Sequence, residues 1–100
     1  MSSIALVVEF TLKPGTHAEF DRIIRDHAAG TLSDEPGCRR FEVLQPRLAD
    51  GSPDTGRVML VEVYADAAAL EAHTKNPRLG RTRAAYADLI EARRITVCDL

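Results

Sequence analysis

Two segments of this chain are apolar on both sides of a β-strand, and that restricts the folds open to it. Residues 4–13 (IALVVEFTLK) place Ile4, Leu6, Val8, Phe10 and Leu12 on one face by period two. The opposite face carries Ala5, Val7, Glu9 and Thr11, and its first half is again apolar. Residues 57–65 (RVMLVEVYA) offer Val58, Leu60 and Tyr64 to one side and Met59, Val61 and Val63 to the other, with Glu62 the only interruption. A sheet with helices on one face and water on the other alternates to polar residues on its wet side. These strands do not, so the second face is expected to be covered. The equivalent face of a second copy is the expected cover, giving a homodimer of facing sheets. The alternative is a monomer whose second face is partly covered by residues 46–56.

The remaining segments arrange themselves around these strands. Pro14-Gly15 stops the first. Thr16 followed by Glu19 has the capping-box pattern, and Phe20, Ile23, Ile24, Ala28 and, at the end, Leu32 form a helical stripe. Gly30 and Ser33–Gly37 end that helix or convert it to a turn. Residues 38–45 (CRRFEVLQ) read as the second strand, and the polar stretch Pro46 to Gly56 as a long hairpin loop. Asp66 caps a short helix over 67–74. Asn76-Pro77 opens another that runs to about Ala92. Residues 94–99 (RITVCD) form the fourth strand. The order β-α-β-β-α-β is the ferredoxin-like α+β arrangement, with a four-stranded antiparallel sheet and its helices on one face.

Bulk properties narrow the function classes. The 100 residues suit one domain, 1–100, and a domain this short gains burial by association. A formal charge of −2 gives no broad reason to expect a nucleic-acid or anionic-membrane partner. No apolar run approaches the roughly 20 residues of a membrane span. The start, Met1-Ser2-Ser3-Ile4, lacks a basic region, so a secretory leader is not expected. Cys38 and Cys98 form no Cys-x-x-Cys pair, which suits reduced thiols in a cytoplasmic setting.

Two linked blocks carry a family resemblance. Glu35-Pro36-Gly37-Cys38-Arg39-Arg40-Phe41-Glu42-Val43-Leu44-Gln45 resembles the turn and strand of the antibiotic biosynthesis monooxygenase domain. Glu62-Val63-Tyr64-Ala65-Asp66, followed by Glu71-Ala72-His73 and Asn76-Pro77, resembles its second block at the matching spacing. The resemblance spans nearly the whole chain. It implies the dimeric α+β barrel, in which two ferredoxin-like sheets face each other. Many members are cofactor-independent monooxygenases that oxidise phenols or quinols to quinones; others isomerise small metabolites or degrade haem. The resemblance implies fold more strongly than chemistry. The chain has no tryptophan, which some members place near the substrate. Residues 4–12 contain no asparagine of the kind haem-degrading members use, which argues against haem degradation.

Among single residues, His27 shares the apolar stripe of the first helix with Ile23 and Ile24 and points at the sheet. A histidine there can take a proton from a phenol or enol, its ordinary pKa lying near neutrality. The bland alternative is a core histidine bonded to backbone. His73 ends the short helix, where the dipole favours it and a structural or dimer-contact role suffices; His17 is expected to be exposed. Glu9 and Glu62 interrupt neighbouring apolar strands. Each can serve as a pocket base or pair with Arg39, Arg40 or Arg57. Phe41, Tyr64 and Tyr86 can line a flat pocket or simply fill the core. Cys38, next to two arginines, reads equally as a reactive thiol or a small buried hydrophobe, and the latter is preferred. No metal-ligand spacing, Gly-x-Gly-x-x-Gly or P-loop occurs, so no metal or cofactor is expected.

The first expectation is a cofactor-independent monooxygenase for a small quinol or phenolic metabolite. His27 is its base or hydrogen-bond partner, and Phe41, Glu62, Tyr64, His73 and Tyr86 surround the substrate. The alternatives are an isomerase or lyase of an enolisable metabolite on the same pocket, and a non-catalytic dimeric ligand-binding domain.

Overall fold

A computed structural model describes residues 2–100. Its strands are β1 (Ile4–Leu12), β2 (Cys38–Leu44), β3 (Arg57–Tyr64) and β4 (Ile90–Asp99). Its helices are α1 (His17–Asp34), α2 (Ala67–Lys75) and α3 (Pro77–Tyr86), and a 3-10 turn over Ala87–Leu89 leads into β4. All strands join one antiparallel sheet in the order β2-β3-β1-β4. This is the α+β ferredoxin-like fold read from the sequence.

The period-two pattern of β1 decides where the core lies. Leu6, Val8, Phe10 and Leu12 are buried, whereas Ala5, Val7 and Glu9 between them are only half-buried. Phe20, Ile24 and Ala28 of α1 close over the first set. Phe10, Phe20 and Tyr86 pack as a triad, with ring centroids 4.8 Å apart for Phe10–Phe20 and 5.4 Å for the other two pairs.

A bulge shapes β2. Cys38 pairs with Tyr64 and Arg40 with Val63, so Arg39 is the extra residue. Cys38 and Phe41 are an odd number of residues apart and would face opposite ways in a regular strand. The bulge lets both turn inward, where each is buried. Gly37, just before it, lies so close to α2 that a Cβ there would be 2.5 Å from the Ala69 Cβ.

Several local expectations are corrected. The last helix ends at Tyr86 rather than near Ala92, and β4 begins at Ile90, where it pairs with Leu12. The segment after Tyr86 has helix-forming residues, but propensity is worth only tenths of a kcal/mol per residue. The backbone groups of β1 require partners along the strand's whole length. Thr16 makes no cap bond; its hydroxyl faces the carbonyls of Lys13 at 2.7 Å and Leu89 at 3.0 Å. α1 runs through Gly30, whose missing side chain admits the guanidinium of Arg78. Leu32 is exposed, and Thr31 takes the inward position on that turn. His17 is half-buried and bonded to Gln45 at 2.6 Å. The caps at Asp66 and Asn76 form as expected, accepting from the amides of Ala69 at 2.8 Å and Arg78 at 2.9 Å.

Candidate functional site

Between the helices and the sheet lies a cavity of ≈ 210 Å³, lined largely by apolar side chains. Glu62 reaches it because strand residues two apart share a face. It points to the helix side with Leu60 and Tyr64, opposite Leu6 of β1 and Phe41 of β2. His73 reaches it from the last turn of α2. That helix is fixed at its start by the Asp66 cap and ended by Asn76, which caps α3.

These two side chains belong to one buried chain of polar groups. Tyr64 donates its phenolic proton to Glu62 Oε1 at 2.6 Å. The same oxygen lies 3.7 Å from His73 Nε2. On the other side of the ring, His73 Nδ1 lies 2.9 Å from Glu35 Oε1. Asn76 Nδ2 donates to the second Glu35 oxygen at 3.5 Å. A carboxylate on Nδ1 holds the proton there and turns the Nε2 lone pair toward Glu62. Glu35 was read from the sequence only as part of a turn. Its role needs the Pro36-Gly37 turn to bring it against α2, which no local pattern announces.

Burial sets the acid–base character of the group. Desolvation raises the pKa of Glu62 against the opposing pull of Tyr64, His73 and Arg83. Burial, with the charge of Glu62 beside it, holds the Tyr64 phenol well above its ordinary value, so it stays a donor. Burial pushes the Cys38 thiol up to about 11, in keeping with a small buried hydrophobe.

His27 enters from α1. Its Nδ1 lies 3.0 Å from the hydroxyl of Thr82, and its ring centroid is 5.9 Å from that of His73. Burial first, then the charges of His73, Arg78 and Arg83, lower its pKa to about 4. The near-neutral value expected from its residue type is therefore corrected: His27 is a neutral imidazole at pH 7.

Of the six residues singled out beforehand, His27, Phe41, Glu62, His73 and Tyr86 line the cavity. Tyr64 does not; it is fully buried behind Glu62. The two strand carboxylates part company. Glu9 is on the other face of the sheet, 3.9 Å from Arg57, while Glu62 meets no arginine at ion-pair distance. Thr82, Arg83 and Arg93 also line the cavity and were missed. Arg93 lay at the edge of a segment read as helix end, and α3 positions carry no period strong enough to separate inner from outer faces. Among the described residues, no three His, Cys, Asp or Glu side chains are grouped to hold a metal ion. Among them, no helix is long and apolar enough to cross a bilayer.

Comparison with known proteins gives the fold a wider setting. The family model for antibiotic biosynthesis monooxygenase matches residues 3–85. A Caulobacter crescentus structure, provisionally named an antibiotic biosynthesis monooxygenase, superposes with a TM-score of 0.89 at 25% identity, covering 99% of this chain and 90% of that one. A Nitrosomonas europaea structure of the same provisional name has a TM-score of 0.85 at 25% identity, covering 98% and 89%. A Mycobacterium tuberculosis protein has 0.80 at 26%, covering 97% and 93%. No curated protein matches the chain.

Proposed function

The chain belongs to the antibiotic biosynthesis monooxygenase family, and we propose that it is a cofactor-independent monooxygenase acting on a small quinol or phenol. The observation that supports this most is the Glu62–His73 pair opening into an apolar cavity. A buried carboxylate of raised pKa, beside an imidazole whose far nitrogen is fixed by Glu35, is a suitable proton acceptor. In this reading the pair is the base. His27, with Thr82 donating to Nδ1, presents an Nε2 proton to the oxyanion. Phe41 and Tyr86 supply ring surface for the substrate.

The reaction balances without an added reductant. The substrate hydroxyl gives its proton to the pair, and the phenolate passes an electron to oxygen. Recombination of the aryloxyl radical with superoxide forms a C–O bond at a ring CH carbon, and the pair returns its proton to the peroxide anion, giving the hydroperoxide. Loss of water from the hydroperoxide leaves the quinone. One oxygen atom stays in product, the other leaves as water, and all four electrons come from substrate.

The same pair favours a second reading, an isomerase or lyase that moves a proton on an enolisable metabolite. The two separate cleanly: oxygenation consumes oxygen, whereas isomerisation exchanges substrate protons with solvent and consumes none. An oxygen electrode with a panel of electron-rich quinols tests the first. Saturable uptake supports it. Folded protein that consumes no oxygen with any of them contradicts it, and ligand binding without product would then indicate a binding domain.

The open sheet face supports self-association. Val7, Met59 and Val61 are half-buried there and Leu44 is exposed, a surface poorly suited to water. A homodimer through this face is expected at micromolar concentration, and light scattering that shows only single chains contradicts it.

A further inference from the structure

The cavity wall carries more positive than negative charge. Its single lining carboxylate is Glu62, while Arg83 of α3 and Arg93 of β4 both line it. Both arginines are exposed. Among the described residues, Arg83 has no hydrogen-bond or ion-pair partner, and Arg93 donates only to the Tyr86 phenol at 3.0 Å. Arg78, by contrast, is committed to Asp34. Two guanidinium groups lining an apolar pocket, neither within ion-pair distance of a carboxylate among the described residues, suit a carboxylate or similar planar anion.

Strand register places Arg93 relative to the proposed base. Leu6 pairs with Glu62 on one side and Val97 on the other; Phe10 pairs with Arg93. Arg93 therefore sits four residues further along β1, about 13 Å at roughly 3.3 Å per residue, and one strand beyond it. The wall between the two levels is Val8, Ile95 and Phe10, all apolar. Ile95 and Val97 are partly exposed on this same helix-facing side, so the strip is open to a ligand.

We propose that the cavity takes an amphipathic aromatic anion: a flat ring system whose acidic hydroxyl meets Glu62 and His73 and whose carboxylate is held by Arg93 at the far end, with Arg83 adding its charge from the helix side. The inference rests on the cavity being the substrate site proposed above, and it names the substrate class. Arg83 and Arg93 determine specificity and take no part in the chemistry.

A matched pair of probes tests it. 6-Hydroxy-2-naphthoate carries the anion opposite the hydroxyl, and 6-hydroxy-2-naphthamide replaces it with a neutral group of similar shape. The protein has no tryptophan, so naphthol fluorescence reports binding directly. The naphthoate is expected to bind at least about ten-fold more tightly than the amide, with affinity that falls as salt rises. Arg83→Gln and Arg93→Gln should each reduce that preference several-fold, and together remove it, by weakening naphthoate binding far more than amide binding. Arg81→Gln, on α3 but outside the cavity, should preserve the preference; loss in that variant too would point to bulk charge and overturn the assignment. Equal binding of both probes, binding of neither by folded protein, or a preference that survives the double substitution also overturns it. The readout needs no turnover. Naphthoate preference without oxygen uptake sinks only the oxygenase reading, and uptake without the preference sinks only this inference.

Discussion

Tyr64 donates a 2.6 Å hydrogen bond to Glu62 from two residues further along the same strand, and both side chains are buried. Residues two apart share a face of the sheet, and burial holds these two side chains together, so the phenol is a ready partner for the carboxylate. Removing it with Tyr64→Phe leaves a buried oxygen short of a donor. The expected cost is about 1–3 kcal/mol of stability, measured by urea unfolding. Because the bond lowers the pKa of Glu62, its loss should raise that pKa further. The acidic limb of the rate profile should move to higher pH, and an unmoved limb would show that Glu62 is not the titrating base.

Glu62 itself is expected to cost stability. Its folded pKa is raised above the unfolded value, so the folded state holds more protons than the unfolded state between the two. Stability therefore falls as pH rises through that window. The penalty is absent below the unfolded value of about 4.3 and present at pH 7. Glu62→Gln, which still accepts from Tyr64, should stabilise the fold by on the order of 1 kcal/mol at pH 7 and by nothing at pH 4. Unfolding curves at the two pH values check this, and the same variant should lower turnover by about 10²–10⁴-fold.

His27 behaves in the opposite sense. Its folded pKa of about 4 lies below the ordinary 6.5, so the unfolded chain binds more protons between these values. Stability should rise with pH across that interval and be lost as pH falls from 6.5 to 4, by on the order of 3 kcal/mol. His27→Gln should flatten this dependence. An equally steep slope in the variant would place the titration elsewhere.

Phe20 is the core's anchor in the aromatic triad and is fully buried. Phe20→Ala should destabilise by about 3–5 kcal/mol, read from the denaturation midpoint. A loss under 1 kcal/mol would show that α1 is held chiefly by other contacts.

The strands and the placement of Glu62 were legible in the sequence because period two fixes which residues share a face. His27 and Phe20 were legible for the matching reason in a helix. What escaped depends on pairing across distance. Glu35 meets His73 over 38 residues of chain. Thr82 meets His27 over 55. The inward turn of both Cys38 and Phe41 needs a bulge at Arg39 that no residue there demands. β4 began early because β1 required a partner, which overrode local helix preference at residues 87–92. The low pKa of His27 comes first from its burial and then from charges that other elements bring near it, Arg78 and Arg83 among them.

Oxygen isotope transfer tests the base and the reaction together. With ¹⁸O₂ and an anthrone or quinol substrate, the wild-type protein should release quinone carrying a single heavy oxygen, and Glu62→Gln should release little or none at the same pH. Product whose new oxygen comes from water, or a Glu62→Gln variant as active as the wild type, would contradict the assignment of the Glu62–His73 pair as the base of an oxygenase.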